Sequence, residues 1–218
     1  MVIGVDWAAW HEGYDDPGSV LAGRLAAVQA TIRAALDRAP PGPLTVLSMC
    51  AGQGRDLIGA LAAHPRRADV RARLVELDPR NVAVAERSAR RAGLAGIEVV
   101  RGDAGLVRHY RDLAPADLVL ACGVFGNLTD ADVLRTVDVC AQLCREGGTV
   151  VWTRHRRPPD LVPVIADRFS ARGFAQVFLS DPAAGFGLGA HRRCEPPEPL
   201  RDADRIFTFV PAKQASTP

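Results

Sequence analysis

Three stretches of the chain carry residue types whose spacing suits a bound nucleoside. The first is Ser48-Met49-Cys50-Ala51-Gly52-Gln53-Gly54-Arg55-Asp56, where two glycines let the backbone turn tightly and approach a ligand. A Gly-x-Gly is also an ordinary turn, so its weight depends on what surrounds it. The second stretch is Val75-Glu76-Leu77-Asp78, in which Glu76 follows Gly54 by 22 residues. An acid about 20 residues beyond such a loop is placed to accept from ribose hydroxyls. The third is Gly102-Asp103, another carboxylate after an apolar run. A dinucleotide site would need a small residue at the third glycine position and no negative charge near the diphosphate. Leu57 and Asp56 stand there instead, so the expected ligand lacks a diphosphate.

These residues act together only if the chain brings them to one edge. Apolar periodicity predicts a helix over 19–37, ended by Pro40-Pro41-Gly42-Pro43, then a strand over 44–49 and a helix over 55–63. Further strands are predicted over 72–77, 97–101, 117–122 and 149–153, with helices over 79–92, 129–144 and 159–172. The chain closes with two predicted strands, 174–179 and 204–210, joined by the Gly/Pro-rich stretch 181–199 with no helix between them. Repeated strand–helix units give a doubly wound, Rossmann-like α/β sheet in three α/β/α layers. It should be mostly parallel, with an antiparallel final strand. In such sheets ligands bind beyond the carboxyl ends of the strands. Ser48–Asp56, Glu76–Asp78 and Asp103 all fall there.

With these elements in place, the motifs resemble those of the class I S-adenosylmethionine-dependent methyltransferases, from about Leu44 onward. The resemblance implies S-adenosylmethionine as cofactor. By that likeness Gly52 and Gly54 line its methionine part, with Ser48, Cys50 and Ala51 in the same loop. Glu76 holds the ribose hydroxyls, Leu77 and Asp78 flank the adenine, and Asp103, next to Ala104, accepts from its amino group. Cys122 and Gly123 border the sulfonium. The sequence departs from the family pattern in having Ser48 where an acid is usual and Cys50 where a glycine is usual. Ser48 cannot neutralise a cationic group. The segment Tyr14–Ser19 with Arg24 could fold over the site, Arg24 gripping the cofactor's carboxylate, although a surface helix with a solvated arginine reads equally from sequence. Residues 1–43 are thus expected as a helical lid segment, 44–211 as the methyltransferase domain and 212–218 as a tail.

The acceptor side is less defined. Trp7, Trp10, His11 and Tyr14 form an aromatic cluster that suits a lid or simple packing. Phe125 and Asn127 follow the fourth strand, at the edge expected for a methyl acceptor. The Asn/Asp-Pro-Pro-Tyr/Phe motif typical of nucleic-acid amino-methyltransferases is absent there. His155 and His191 are the candidate general bases, and Arg154 and Arg192 the candidate anion contacts. Cys140 and Cys144, four apart on a helix, are expected to face the core.

Composition bounds the rest. The 218 residues are 48% hydrophobic and 24% charged, which excludes a disordered or collagen-like chain. The net charge of +2 does not suggest a polybasic nucleic-acid binder. All but one of the 27 basic residues are arginine, Lys213 being the exception. Codon bias explains that, and so would selection for bidentate anion recognition. Arg66, Arg67, Arg71 and Arg73 would be the basic surface of an RNA or protein methyltransferase. Five cysteines without a Cys-x-x-Cys pair predict neither a disulfide framework nor a metal site. No signal-like or membrane-spanning segment is evident. The expected protein is therefore a cytoplasmic methyltransferase with a small-molecule substrate, compatible with a homodimer. The alternatives are an RNA or protein methyltransferase, or a cofactor-binding protein without transferase activity.

Overall fold

Short aliphatic runs alternate with amphipathic ones along the chain, and the termini of the helices are set by specific caps. The computed structural model describes residues 11–200 and 205–210. Trp7 and Trp10 lie outside that range, as does the tail. Helix α1 (Val20–Arg38) starts at Ser19, whose hydroxyl accepts from Ala22 N at 3.0 Å. Strand β1 (Leu44–Met49) leads through the glycine loop into α2 (Arg55–Leu61). Strand β2 (Val70–Glu76) leads to α3 (Pro79–Arg91), which is capped by Asp78 and opened by a proline whose missing N–H costs nothing there. Then follow β3 (Ile97–Arg101), β4 (Ala116–Ala121), α4 (Asp130–Leu143, capped by Thr129), β5 (Cys144–His155) and α5 (Val162–Ala171). Strands β6 (Phe174–Leu179) and β7 (Phe186–Arg193) complete the sheet.

The sheet order is β3-β2-β1-β4-β5-β7-β6. Strands β1 to β5 pair in parallel, and β7 is antiparallel to both of its neighbours. Val28, Ile32 and Leu36 of α1, Leu57 and Leu61 of α2, and Ala85 and Ala89 of α3 pack on one face. Val133, Val137 and Cys140 of α4, and Ile165 and Phe169 of α5, pack on the other. The chain direction from β1 splits between β2 and β4, so the carboxyl ends of β1 and β4 diverge into a crevice. The doubly wound three-layer sheet expected from the sequence is the one observed, and Cys140 and Cys144 are both buried. No helix among the described residues is long and apolar enough to cross a membrane.

The final strand is not where the sequence places it. It is Phe186–Arg193, inside the stretch expected to be a loop, and residues 205–210 are not a sheet strand. The misleading glycines have a packing reason. Gly189 sits opposite Trp152 and Gly187 opposite Arg154 in the β5–β7 pairing. A Cβ on Gly189 would enter the Trp152 indole, and one on Gly187 would enter the Val162 side chain. The glycines of β7 make room for large neighbours. The apolar residues Ile206 and Phe207 are buried, but as a strap over the loops at the carboxyl edge. Ile206 N donates to Gly105 O at 2.7 Å and Val210 N to Asn127 O at 2.9 Å. Val20 is 64% exposed at the start of α1.

Two expected site residues are displaced by the same correction. His191 is fully buried in β7, stacked on Phe169 with ring centroids 4.7 Å apart. Trp152 Nε1 donates to its Nδ1 at 3.1 Å, which puts the ring proton on Nε2, a buried atom without a partner. It is a core residue with no route to an acceptor. Arg192 pairs with Thr149 at the start of β5, and its Nε reaches Gly147 O at 3.4 Å, so it lies at the edge opposite the crevice.

Burial pushes the His191 pKa down to about 4. The unfolded chain takes up this proton near pH 6.5, so the stability is whole above pH 6.5 and drains as the pH falls toward 4, by about 3 kcal/mol. Protonation would also turn Nδ1 from acceptor to donor against Trp152 Nε1. His191→Asn, which keeps an acceptor, should flatten this slope in urea titrations between pH 7 and 4.5. An unchanged slope would assign the loss to other groups.

Candidate active site

The glycine loop curls because three of its residues take left-handed backbone angles: Cys50 (φ 49°), Gly52 (φ 56°) and Gly54 (φ 68°). Gly54 is the N-cap of α2 and is needed for space as well as angle. A Cβ there would stand 2.7 Å from Ile58 Cδ1 and 2.9 Å from Leu74 Cδ2. Glu76, at the end of β2 and 9% exposed, holds the loop with both carboxylate oxygens. Oε2 accepts from Gly52 N and Oε1 from Asp78 N, each at 2.8 Å. Each oxygen retains a second lone pair for a ligand hydroxyl. Leu77, between Glu76 and Asp78, is 48% exposed, an apolar surface beside the carboxylate.

Asp103 follows β3, and Ala104 beside it is buried. Asp103 Oδ1 accepts from Gly105 N and Oδ2 from Arg205 Nη1, both at 2.9 Å. The Cys50 thiol is pushed well up by burial, then by the carboxylates of Glu76 and Asp103. Cys50 thus stands within reach of both acids, and the ends of β1, β2 and β3 meet around it. Ser48 is 1% exposed and faces inward from β1.

A second cluster gathers beyond β4. Burial, then the Asp56 charge, pushes up the Cys122 thiol, and Arg24 opposes them. Burial also raises Asp56, against the charge of Arg24. Arg24 Nη2 donates to the Tyr14 hydroxyl at 2.9 Å. Arg55 lies 5.7 Å over the Tyr14 ring and pairs with Asp15 at 2.6 Å. The segment around Tyr14 is therefore fastened to the start of α2. Asp56 and Arg55 adjoin this cluster and were not selected from the sequence. They directly follow the last glycine of the loop, where Asp56 was read only as a bar to phosphate. Gly123 has φ 77°, and a Cβ on it would meet nothing within 4 Å, so open space adjoins the end of β4.

On the acceptor side, Gly123 N donates to Thr153 Oγ1 at 2.8 Å, and Asn127 Nδ2 donates to Gly123 O at 2.9 Å. Phe125 is fully buried against Trp152 and is a core residue, not an acceptor contact. Arg154 is buried as well. It donates to Phe125 O and lies 3.9 Å from Asp130, so it braces the loop between β4 and α4. His155 ends β5 half-buried beside Gly126, with Nδ1 accepting from Arg157 N at 3.3 Å. Burial, then Arg154 and Arg157, holds its pKa below 6.5. A surface recess between Ala68–Arg73 and Ala95–Glu98 lies at the opposite edge of the sheet and contains none of these groups.

Residues 46–148, just under half of the chain, match the family model for a methyltransferase domain. No protein of curated function matches the chain by sequence. An O-methyltransferase family protein from Burkholderia thailandensis superposes with TM-score 0.66 at 17% identity, covering 87% of this chain and 60% of its own. The chain therefore spans about three fifths of that protein's length. The magnesium protoporphyrin IX methyltransferase from Synechocystis, solved with S-adenosylmethionine bound, gives 0.64 at 14% identity, covering 87% of this chain and 92% of its own. An rRNA methylase from Streptococcus thermophilus gives 0.59 at 13% identity, over 76% and 95% respectively. Residues 46–148 thus match a methyltransferase domain, and the fold is shared with the Synechocystis enzyme that was solved with S-adenosylmethionine bound. The residues present suit that group. An acid with lone pairs to spare, an exposed leucine, a glycine loop and open space beyond β4 are the features an adenosyl thioether needs.

Gly54→Ala should cost about 1–2 kcal/mol, since alanine at a left-handed angle adds backbone strain to the contacts with Ile58 and Leu74. Chemical denaturation measures this directly. Wild-type stability in the variant would show that the loop relaxes without penalty.

Proposed function

We propose that the protein transfers a methyl group from S-adenosylmethionine to a small-molecule acceptor. The observation that carries this reading is the enclosure of the crevice from two sides. The Tyr14 segment is fastened to α2 on one side, and the 205–210 strap crosses the loops after β3 and β4 on the other. An edge bounded on two sides favours a small acceptor over a polymer. The arginines near β2 support the same reading, because they are committed internally. Arg66 donates to Leu36 O, Ala39 O and Gly42 O, and Arg73 pairs with Glu98 and Asp112. Arg66 and Arg73 are therefore not open to a phosphate backbone, and among these positions Arg71 is the exposed one.

The cofactor brings an activated methyl group, so the chain's task is to bind, orient and exclude water. In this reading Glu76 takes the ribose hydroxyls, Leu77 and Asp78 flank the adenine, and Asp103 and Ala104 border its amino edge. Ser48, Cys50, Ala51, Gly52 and Gly54 shape the turn beneath the thioether, and Cys122 and Gly123 adjoin the sulfur. Tyr14 covers the crevice, and Asn127 Oδ1, whose amide is fixed by Gly123, faces acceptor chemistry. His155 is neutral at pH 7 because its pKa is held down, so it can take a proton from the acceptor. Turnover through His155 should fall as the pH drops below 6.5, and His155→Gln should remove that acid limb.

Calorimetry with S-adenosylhomocysteine is expected to show binding that Glu76→Ala weakens at least tenfold, or about 1.4 kcal/mol. Absence of binding by the wild type would overturn the cofactor assignment. Methyl-labelled S-adenosylmethionine, incubated with the protein and a fractionated cell extract, should place label in the low-molecular-weight fraction. Label in RNA or protein, with a steep salt dependence for RNA, would overturn the small-molecule reading.

A further inference from the structure

A sheet can still grow at its edge strands, whose outer N–H and C=O groups have no partner strand. The two edges of this sheet differ. Strand β3 carries Glu98 and Arg101, and Glu98 is paired with Arg73 at 2.8 Å. Charges of that kind keep a further strand away. Strand β6, at the other edge, reads Phe174-Ala175-Gln176-Val177-Phe178-Leu179, without a charge or a proline. Its inner side pairs with β7, and among the described residues no backbone bond leaves its outer side for another element.

A bulge shapes this edge. Gln176 pairs with His191 and Phe178 with Ala190, so Val177 has no partner in β7. In a regular strand, neighbouring side chains alternate between the two faces. Here residues 175–178 are all exposed, Val177 by 39% and Phe178 by 44%. Helix α5 packs on β6 from one side, while Phe178 shares the other face with Ala190 and stays open to water there. Adjoining apolar side chains left exposed in this way mark a contact surface. The charges flanking the strand say what fits it. Arg192, exposed, pairs with Ala175 near the start of β6, and Asp181, also exposed, follows its end. An antiparallel copy sets the start of one strand beside the end of the other, so unlike charges approach at both ends and no like charges meet between them.

We propose that β6 pairs antiparallel with β6 of a second copy of this chain, joining two seven-stranded sheets into one across a two-fold axis. The axis is normal to the sheet, so both Phe178 rings lie on one face, where the small Ala175 side chains leave them room. The carboxyl edges of the two copies point in opposite directions, and each crevice remains complete within its own chain. The inference is independent of the cofactor reading. Six paired residues make an interface at the small, transient end of the range, so the dimer should dissociate on dilution.

Sedimentation velocity across a concentration series tests this, under reducing conditions because Cys194 is exposed and a disulfide would mimic the contact. The average mass of the wild type should rise from that of the monomer toward twice that value. Hydrogen exchange at the amides of 174–179 should slow in step. Val177→Lys, which sets a charge on the edge and leaves the core intact, should stay monomeric throughout and keep the wild-type melting temperature. A wild type that remains monomeric at millimolar concentration overturns the proposal. So does a dimer that forms equally well in Val177→Lys, or one that leaves exchange in β6 unchanged, since either places the contact elsewhere. Mass growing beyond two copies also overturns it, because a two-fold pairing closes on itself.

Discussion

The site depends on one carboxylate. Glu76 joins the loop after β1 to the loop after β2 through Gly52 N and Asp78 N, beside the Ala51 N to Val75 O and Gln53 to Asn81 bonds. The two strands run in register up to Met49 and Val75, so Glu76 extends the sheet's order one step past its last ladder bond. A carboxylate with so little exposure must have donors, and two backbone N–H groups supply them. The same bonds hold the left-handed turn at Cys50, Gly52 and Gly54 and set Leu77 outward. Any hydroxyl that Glu76 receives must use the lone pairs left over from holding the loops.

Much of this was legible in the sequence because it is local. Gly52, Gly54, Glu76 and Asp103 each sit at the end of a short apolar run, and an apolar run followed by a glycine or an acid is visible without neighbours. The parallel core strands were legible for the same reason. The failures were tertiary. Strand β7 contains Gly187 and Gly189 because Val162 and Trp152 occupy the space a side chain would need, and both lie far away in sequence. Residues 205–210 are apolar and look like a strand, but Ile206 and Phe207 are buried under the loops at the carboxyl edge. Once β7 was misplaced, His191 and Arg192 went with it, from an imagined site loop to the core and the far edge.

The abundance of arginine is consistent with codon bias, yet many of these residues have structural work. Arg66 gathers three carbonyls that end α1 and its following turn. Arg156 donates to Phe186 O and Ser180 O, and Arg193 to Arg172 O and Pro196 O. A guanidinium has five donors in a planar fork, so one side chain can satisfy several loop carbonyls at once. That is a third use, alongside solvation and anion recognition, and it explains why clustered arginines here do not mark a binding surface. Arg154 is the clearest case. Its position beside the crevice suggests substrate, but its donors brace Phe125 O and approach Asp130.

Two buried titratable groups, Asp56 and His191, show why burial alone does not identify function. Both are held away from their ordinary pKa, chiefly by desolvation. His191 meets rings on its faces and a donor on Nδ1, and it lies between β5 and β6 where no ligand can enter. Its cost is offset by packing. Asp56, half-buried, accepts from Leu57 N at 2.7 Å, and the charge of Arg24 opposes its desolvation. Desolvation at the edge of a sheet is thus met by charges and donors from neighbouring elements, whereas the same desolvation inside the sheet is met by the rings packed there.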